Sequence, residues 1–431
     1  MTNTATAPAT GRERFAWAMF DFANSGYTTV VLTTIFNAYF VSVIAGGAGM
    51  PSGSATFLWT IAMAAGNAIV LLSAPIIGAI SDYRATKKWF LMAATILCIA
   101  GTVCLGFADA GDVGIVTTLV IVSFVMFASG EYLISAFLPE IVTEGRMGRL
   151  SGHAWALGYF GGVLTLALCL AYITWAQNQG YGPTHFVPVT LWITAAIFAL
   201  AALPTFLWLK DRAVARPLPP GASYAGIGFT QVLETLRHAA RFKDLFRFLT
   251  TLVVFQSGVS TVVVVAAIYA QEVLQFTSDK LVMMIMVVNL TAAFGAFGMG
   301  YIQDRFGSIK ALALGLSLWI IAIFLILIAQ TDLDVWISAN LMGLGMGSCQ
   351  AAGRALTGLF TPVQRTGEFF GLWGLAMRLA AIIGPMSYGL ISLLSDGNHR
   401  MAILSTLTFF VLGLLLLTTI NENRGKQAAA L

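Results

Sequence analysis

Charge is scarce in this chain of 431 residues: Asp, Glu, Lys and Arg make up 10% of it, against 58% hydrophobic residues. Soluble domains carry about 25% charge, so most of the molecule must face something other than water. Cysteine is scarce too. Cys98, Cys104, Cys169 and Cys349 all fall inside apolar runs and form no close-spaced pair, which argues against a metal site and against a disulfide framework. The sequence has no Gly-x-x-x-x-Gly-Lys loop to cradle a nucleotide phosphate. It also has no nucleophile–base cluster and no basic groove interleaved with aromatics. An enzyme, an ATP-driven pump and a nucleic-acid binder are therefore disfavoured, and no cofactor is implied.

Long apolar runs are abundant. Twelve can be drawn, from 15–45 to 399–420, each near the length of about 20 residues that crosses a bilayer as a helix. The expected fold is all-α: a polytopic membrane protein with twelve transmembrane helices in two six-helix bundles. Residues 1–14 read as a disordered lead with no small-residue cleavage signature, 15–209 as the first bundle and 246–420 as the second. Residues 210–245, with Pro217, Pro219, Pro220 and a basic amphipathic stretch, read as a linker on the membrane surface, and 421–431 as a tail. Of the 23 Lys and Arg residues, about 19 fall on one set of alternating loops and tails, which the positive-inside rule assigns to the cytoplasm together with both termini.

The two bundles share marks. Gly78-Ala79-Ile80-Ser81-Asp82-Tyr83-Arg84 is echoed by Gly300-Tyr301-Ile302-Gln303-Asp304-Arg305-Phe306-Gly307, with the aspartates 222 positions apart (304 − 82). Pro139 and Pro362, and likewise Glu131 and Arg354, lie 223 apart (362 − 139, 354 − 131). An offset of half the chain indicates a duplicated unit. The turn Gly-x-x-x-Asp-Arg-Phe-Gly-x-x-Lys resembles the signature loop of the major facilitator superfamily of transporters. The first copy departs from it, with Tyr83 where an arginine is usual. That resemblance implies a gating role for Gly78, Asp82, Arg84, Gly300, Asp304, Arg305 and Gly307, with contacts that latch the halves on the cytoplasmic side. Either aspartate could sit against the N-terminal end of a neighbouring helix, where free N–H groups favour an anion.

Charges inside the apolar runs are the candidates for function, because each is costly in lipid unless it faces a partner or a wet cavity. Asp21 shares a helical face with Asn24 and Thr28. Glu131 lies eight residues before Pro139, and Arg354 eight before Pro362. If the halves are related by an axis along the membrane normal, these two sit at equal depth and are expected to pair across a cavity. Arg378 is a candidate for binding a carboxylate or phosphate. With Asn24, Gln256, Asn340 and Gln350 as further polar groups, Glu131, Arg354 and Arg378 make up the candidate substrate site, and Ser151 reads as a cap for the fifth helix. Asp21-Phe22-Ala23-Asn24-Ser25, Gly158-Tyr159-Phe160-Gly161-Gly162 and Gly367-Glu368-Phe369-Phe370-Gly371 are similar to elements of the bacterial branch of the vacuole-effluxer (autophagy-related amino-acid exporter) family, over nearly all twelve helices. The resemblance implies movement of small metabolites, amino acids among them.

The reading is a monomeric secondary transporter of the inner membrane. It moves a small polar or zwitterionic solute by alternating access, with Glu131 first and Asp21 second as proton carriers. An exporter of amphipathic drugs or lipids is the main alternative, and a non-transporting receptor the lesser one.

Overall fold

The computed structural model describes residues 9–430 apart from 143, 214, 216–220, 222, 238–240, 273–277 and 396–398. Residues 1–8 of the expected lead, and Pro217, Pro219 and Pro220 of the linker, lie outside the described residues. Among the described residues the regular structure is helical, as a bilayer requires of a chain whose backbone polar groups must be satisfied internally.

Six long helices form the first half: α1 Gly11–Ala45, α2 Ser52–Arg84, α3 Lys87–Leu105, α4 Val113–Ser135, α5 Met147–Asn178 and α6 Pro183–Trp208. Six form the second: α7 Lys243–Glu272, α8 Ser278–Phe306, α9 Ser308–Ile328, α10 Asp332–Leu359, α11 Thr366–Leu394 and α12 His399–Leu417. A linker helix, Tyr224–Arg237, and a C-terminal helix, Glu422–Ala430, complete the set. Helix α1 therefore begins four residues earlier than the sequence suggests, at a capping box made by Thr10 and Glu13. The 421–431 tail is largely helical. Midway, α1 widens into π turns at Thr28–Thr34 and Phe40–Ala45.

Among the described residues, ten of these helices are by length and composition apolar enough to cross a membrane on their own, and the bent pair of α12 with the C-terminal helix makes eleven. The exception is α10, whose core stretch carries Asn340, Gln350, Arg354 and a series of glycines. Its buried flank explains this: Gly343, Gly345, Gly347 and Arg354 all face protein.

The same crossing is built twice between the halves. Helix α2 packs on α11, and α8 on α5. Gly78 meets the Gly367 carbonyl and Gly371 meets Ala74 and Pro75, so closely that no Cβ fits. In the other copy Gly300 meets Gly148 and Gly152 meets Ala296. Small residues let backbones approach where lipid supplies no hydrophobic drive between helices. All four contacts lie near the end where α2 gives way to α3 and α8 to α9. This is the basic end, with Arg149, Arg305, Lys310 and Arg365.

In each half an arginine just beyond the last long helix clasps an acid at the start of the first. Arg212 donates to both carboxylate oxygens of Glu13 at 2.9 and 3.0 Å. Arg424 binds Asp244 through two nitrogens, Nη2–Oδ1 at 2.7 Å, and the Asn421 amide adds a third donor. Asp244→Asn is expected to lower the melting temperature in detergent by a few degrees, with transport retained; a thermal melt alongside the parent protein checks this.

The linker helix packs on the first half. Gly228 packs against Ile76 and Ile80 of α2, and Tyr224 takes the Arg84 guanidinium over its ring at 4.8 Å.

Candidate functional site

Two acids of the first half meet two arginines of the second. Asp21 is ten residues into α1, about 15 Å along its axis at 1.5 Å per residue. Glu131 lies about 12 Å from Pro139 and Arg378 about 18 Å from the start of α11 on the same rise.

Arg378 Nη2 donates to Glu131 Oε2 at 2.7 Å, joining α11 to α4 across the halves. The pair is not sealed: the Glu131 side chain is 26% exposed and that of Arg378 15%. Arg378 lies 5.8 Å from the Phe124 ring centroid, and its buried Nε has no hydrogen-bond partner. This guanidinium thus holds one carboxylate and keeps a donor to spare.

Arg354 is enclosed. Its Nη1 lies 2.6 Å from Asp21 Oδ2, Nε donates to Ser151 Oγ at 3.2 Å and Nη2 to the Ser151 carbonyl at 3.1 Å. The Trp17 and Trp155 rings lie 4.8 and 5.1 Å from its guanidinium carbon. Ser151 in turn donates to the Ala351 carbonyl at 2.8 Å. It therefore sits inside α5, which starts at Met147, and is not the expected cap.

The expected pairing of Glu131 with Arg354 does not occur. Two positions related by a two-fold axis lie on opposite sides of that axis, and they touch only when they sit on it. Each instead meets a different helix of the other half: Glu131 meets Arg378 of α11, and Arg354 meets α1 and α5. Asp21 and Glu131 thus face arginines of the second half as two separate pairs.

The remaining polar candidates stand apart. Asn24 is buried on α1, one turn beyond Asp21. Gln256 is buried on α7, and its Oε1 has no hydrogen-bond partner. Asn340 donates to the Trp336 carbonyl at 2.7 Å, and Gln350 is half-buried on α10. Among the described residues no hydrogen bond joins these four to Arg354 or Arg378.

At the basic end, Asp82 accepts the Gly367 and Glu368 amides, both at 2.9 Å, at the N-terminus of α11. Asp304 accepts the Gly148 amide at 2.9 Å and the Arg149 amide at 3.1 Å, at the N-terminus of α5. In both copies a carboxylate of one half caps a helix of the other, where free N–H groups and the macrodipole favour an anion. Gly307 ends α8 with φ +93°, a conformation that favours glycine.

Two expected gating residues take no part in these contacts. Arg84 stacks on the linker helix, and Arg305 lies exposed beside the Phe306 ring at 5.2 Å. Their places are taken by Lys87 and Arg149. Arg149 Nε reaches Asp304 at 2.9 Å. Lys87 is fully buried; it pairs with Asp82 at 3.4 Å, with Glu140, and with Thr366 of the other half at 2.7 Å. The sequence marks Lys87 as one basic loop residue among several. Its separation from Lys310 by the repeat offset (310 − 87 = 223) was the available signal.

Residues 9–430 match the family described as "Vacuole effluxer Atg22 like". The uncharacterized MFS-type transporter YxiO of Bacillus subtilis is 26% identical over 414 residues, 95% of either chain. Autophagy-related protein 22 of Yarrowia lipolytica is 24% identical over 346 residues, 73% of this chain; the match spans 57% of that longer protein. The human organic anion transporter MFSD10 (TETRAN) superposes with a TM-score of 0.74 over 95% of this chain and all of its own, at 14% identity, which is a likeness of fold. The chain belongs to the vacuole effluxer Atg22-like family and is a multi-pass transporter of the major facilitator fold.

Proposed function

We propose that the protein is a monomeric, proton-coupled secondary transporter. It moves a small polar or zwitterionic metabolite, amino-acid-like or a small organic anion, across the inner membrane, with both termini in the cytoplasm. The observation that carries this reading is the partly exposed Glu131–Arg378 pair, deep in the bundle and shared between the halves. A solute carboxylate can take the place of Glu131 on Arg378, whose Nε is unused. The displaced Glu131 must then meet a proton or the ammonium group of a zwitterion, because a bare carboxylate there is costly. Glu131 is the first proton carrier on this scheme and Asp21 the second. The Asp82 and Asp304 caps hold the cytoplasmic side shut and release when the halves rock the other way. The family description, an effluxer, agrees with solute movement.

Counterflow in proteoliposomes tests the reading. Preloaded with a panel of amino acids and small carboxylates, vesicles are expected to take up the labelled solute only with the protein present, and faster under an inward proton gradient. Uptake confined to amphipathic dyes or lipids would sink it.

A further inference from the structure

We infer that Arg354, with Asp21 and Ser151, is a lock between the two halves and not a ligand for the solute. The inference rests on the alternating-access reading above and assigns a different task to one of its charges. Each of the three nitrogens of Arg354 already has a partner. Asp21 of α1 holds one terminal nitrogen, and Ser151 of α5 takes two further bonds, one on its hydroxyl and one on its carbonyl. Trp17 and Trp155, from those same two helices, flank the guanidinium. Ser151 ties back to the Ala351 carbonyl of α10, so the knot is stitched in both directions. Arg354 is 2% exposed as a side chain, which leaves no open approach for a solute. Arg378, by contrast, is partly open and has an unused donor.

The position of the knot explains its task. Ser151 is four residues into α5 and Arg354 five residues from the end of α10, about 6–8 Å inside the basic end. It lies just behind the contact of Gly148 and Gly152 with α8, on a seam that must part if this side opens. Opening breaks the ion pair, both Ser151 bonds and the return bond to Ala351 together, and the two indoles leave with the first half. The knot therefore weights the equilibrium between the two faces.

A distance measurement across the seam tests this without any solute. Spin labels at Arg146→Cys and Gln364→Cys, both exposed and on loops of opposite halves, report the width of the basic end in a Cys104→Ser background. In Arg354→Lys, which keeps the charge and loses the fork to Ser151, the wide population is expected to rise about tenfold over the parent, the change that follows from a net loss of one charge-assisted bond. Ser151→Ala leaves the Asp21 ion pair in place and is the milder variant should the lysine form fold poorly; it is expected to shift the same way by severalfold. Both are expected to keep the parent's half-saturating solute concentration within about twofold. Unchanged distances in both variants, with solute affinity lost, would overturn the lock and make Arg354 a ligand. A parent protein that exchanges no solute counts against the proposed function, while the distances still decide the lock.

Discussion

Arg378→Ala is expected to abolish concentrative uptake, by at least about a hundredfold relative to the amount of folded protein. A solute carboxylate held by two charge-assisted hydrogen bonds from Arg378 loses about 3–6 kcal/mol with them, and every 1.4 kcal/mol is a factor of about ten. The loss falls on solute capture, because Arg378 carries both the bond to Glu131 and the unused Nε. Glu131→Gln separates the two effects. It keeps the size of the side chain and a hydrogen-bonding oxygen for Arg378, so exchange of a zwitterion down its gradient is expected to survive at a reduced rate. The acceleration by a proton gradient is expected to vanish. Labelled counterflow with and without a pH step reads both quantities. A Glu131→Gln protein that still concentrates solute in response to pH removes Glu131 from the coupling role. The double variant Glu131→Gln/Arg378→Gln is expected to recover folded yield and not transport, since neutralising both members removes the buried charge while leaving nothing to hold a carboxylate.

Lys87→Met carries the second large effect. Lys87 lies between Asp82 and Glu140 and reaches Thr366 on the other half, with no exposure at all. Asp82 would still have its two helix amides, but Glu140 would be left buried with a single neutral partner, Thr366. A penalty of about 3–5 kcal/mol follows for the shut state. The wide population at the basic end should therefore grow more than a hundredfold, or the protein should melt well below the parent. Adding Glu140→Gln to Lys87→Met is expected to restore most of the loss, because exchanging both members of a buried pair is often close to neutral. Paired melts and seam distances for the single and double variants check it. A single variant indistinguishable from the parent would mean that the Asp82 cap alone holds this crossing.

Much of this architecture is legible in the chain. The apolar runs locate the spans because lipid demands unbroken helices, and the echo of Gly78 and Asp82 in Gly300 and Asp304 announces two related halves. The depth of Asp21, Glu131, Arg354 and Arg378 follows from counting residues along a helix. Pairing does not follow, because a repeat offset says which positions are equivalent and not which are in contact. Glu131 and Arg354 are equivalent and separate, whereas Glu131 and Arg378 are unrelated by the repeat and bonded. The same limit hid Lys87 and Arg149, whose importance lies in facing Glu140, Thr366 and Asp304 from other helices. Arg84 and Arg305 show the converse. Arg305 occupies the motif's arginine position and Arg84 lies one residue beyond it, yet they point to the surface and to the linker helix.

Helix α10 is too polar to qualify as a span by itself, and Arg354 sits within it. An arginine costs about 2.5–3.5 kcal/mol on leaving the translocon for lipid at a helix centre; Arg354, nearer the end of its helix, still weighs against insertion, and α10 lacks the leucine-rich run of α9. Its carboxylate and its two indoles belong to α1 and α5, which are synthesised hundreds of residues earlier. During biogenesis α10 must therefore wait at the insertion machinery, or enter in company with α9 and α11, until the first bundle has assembled and can receive its guanidinium.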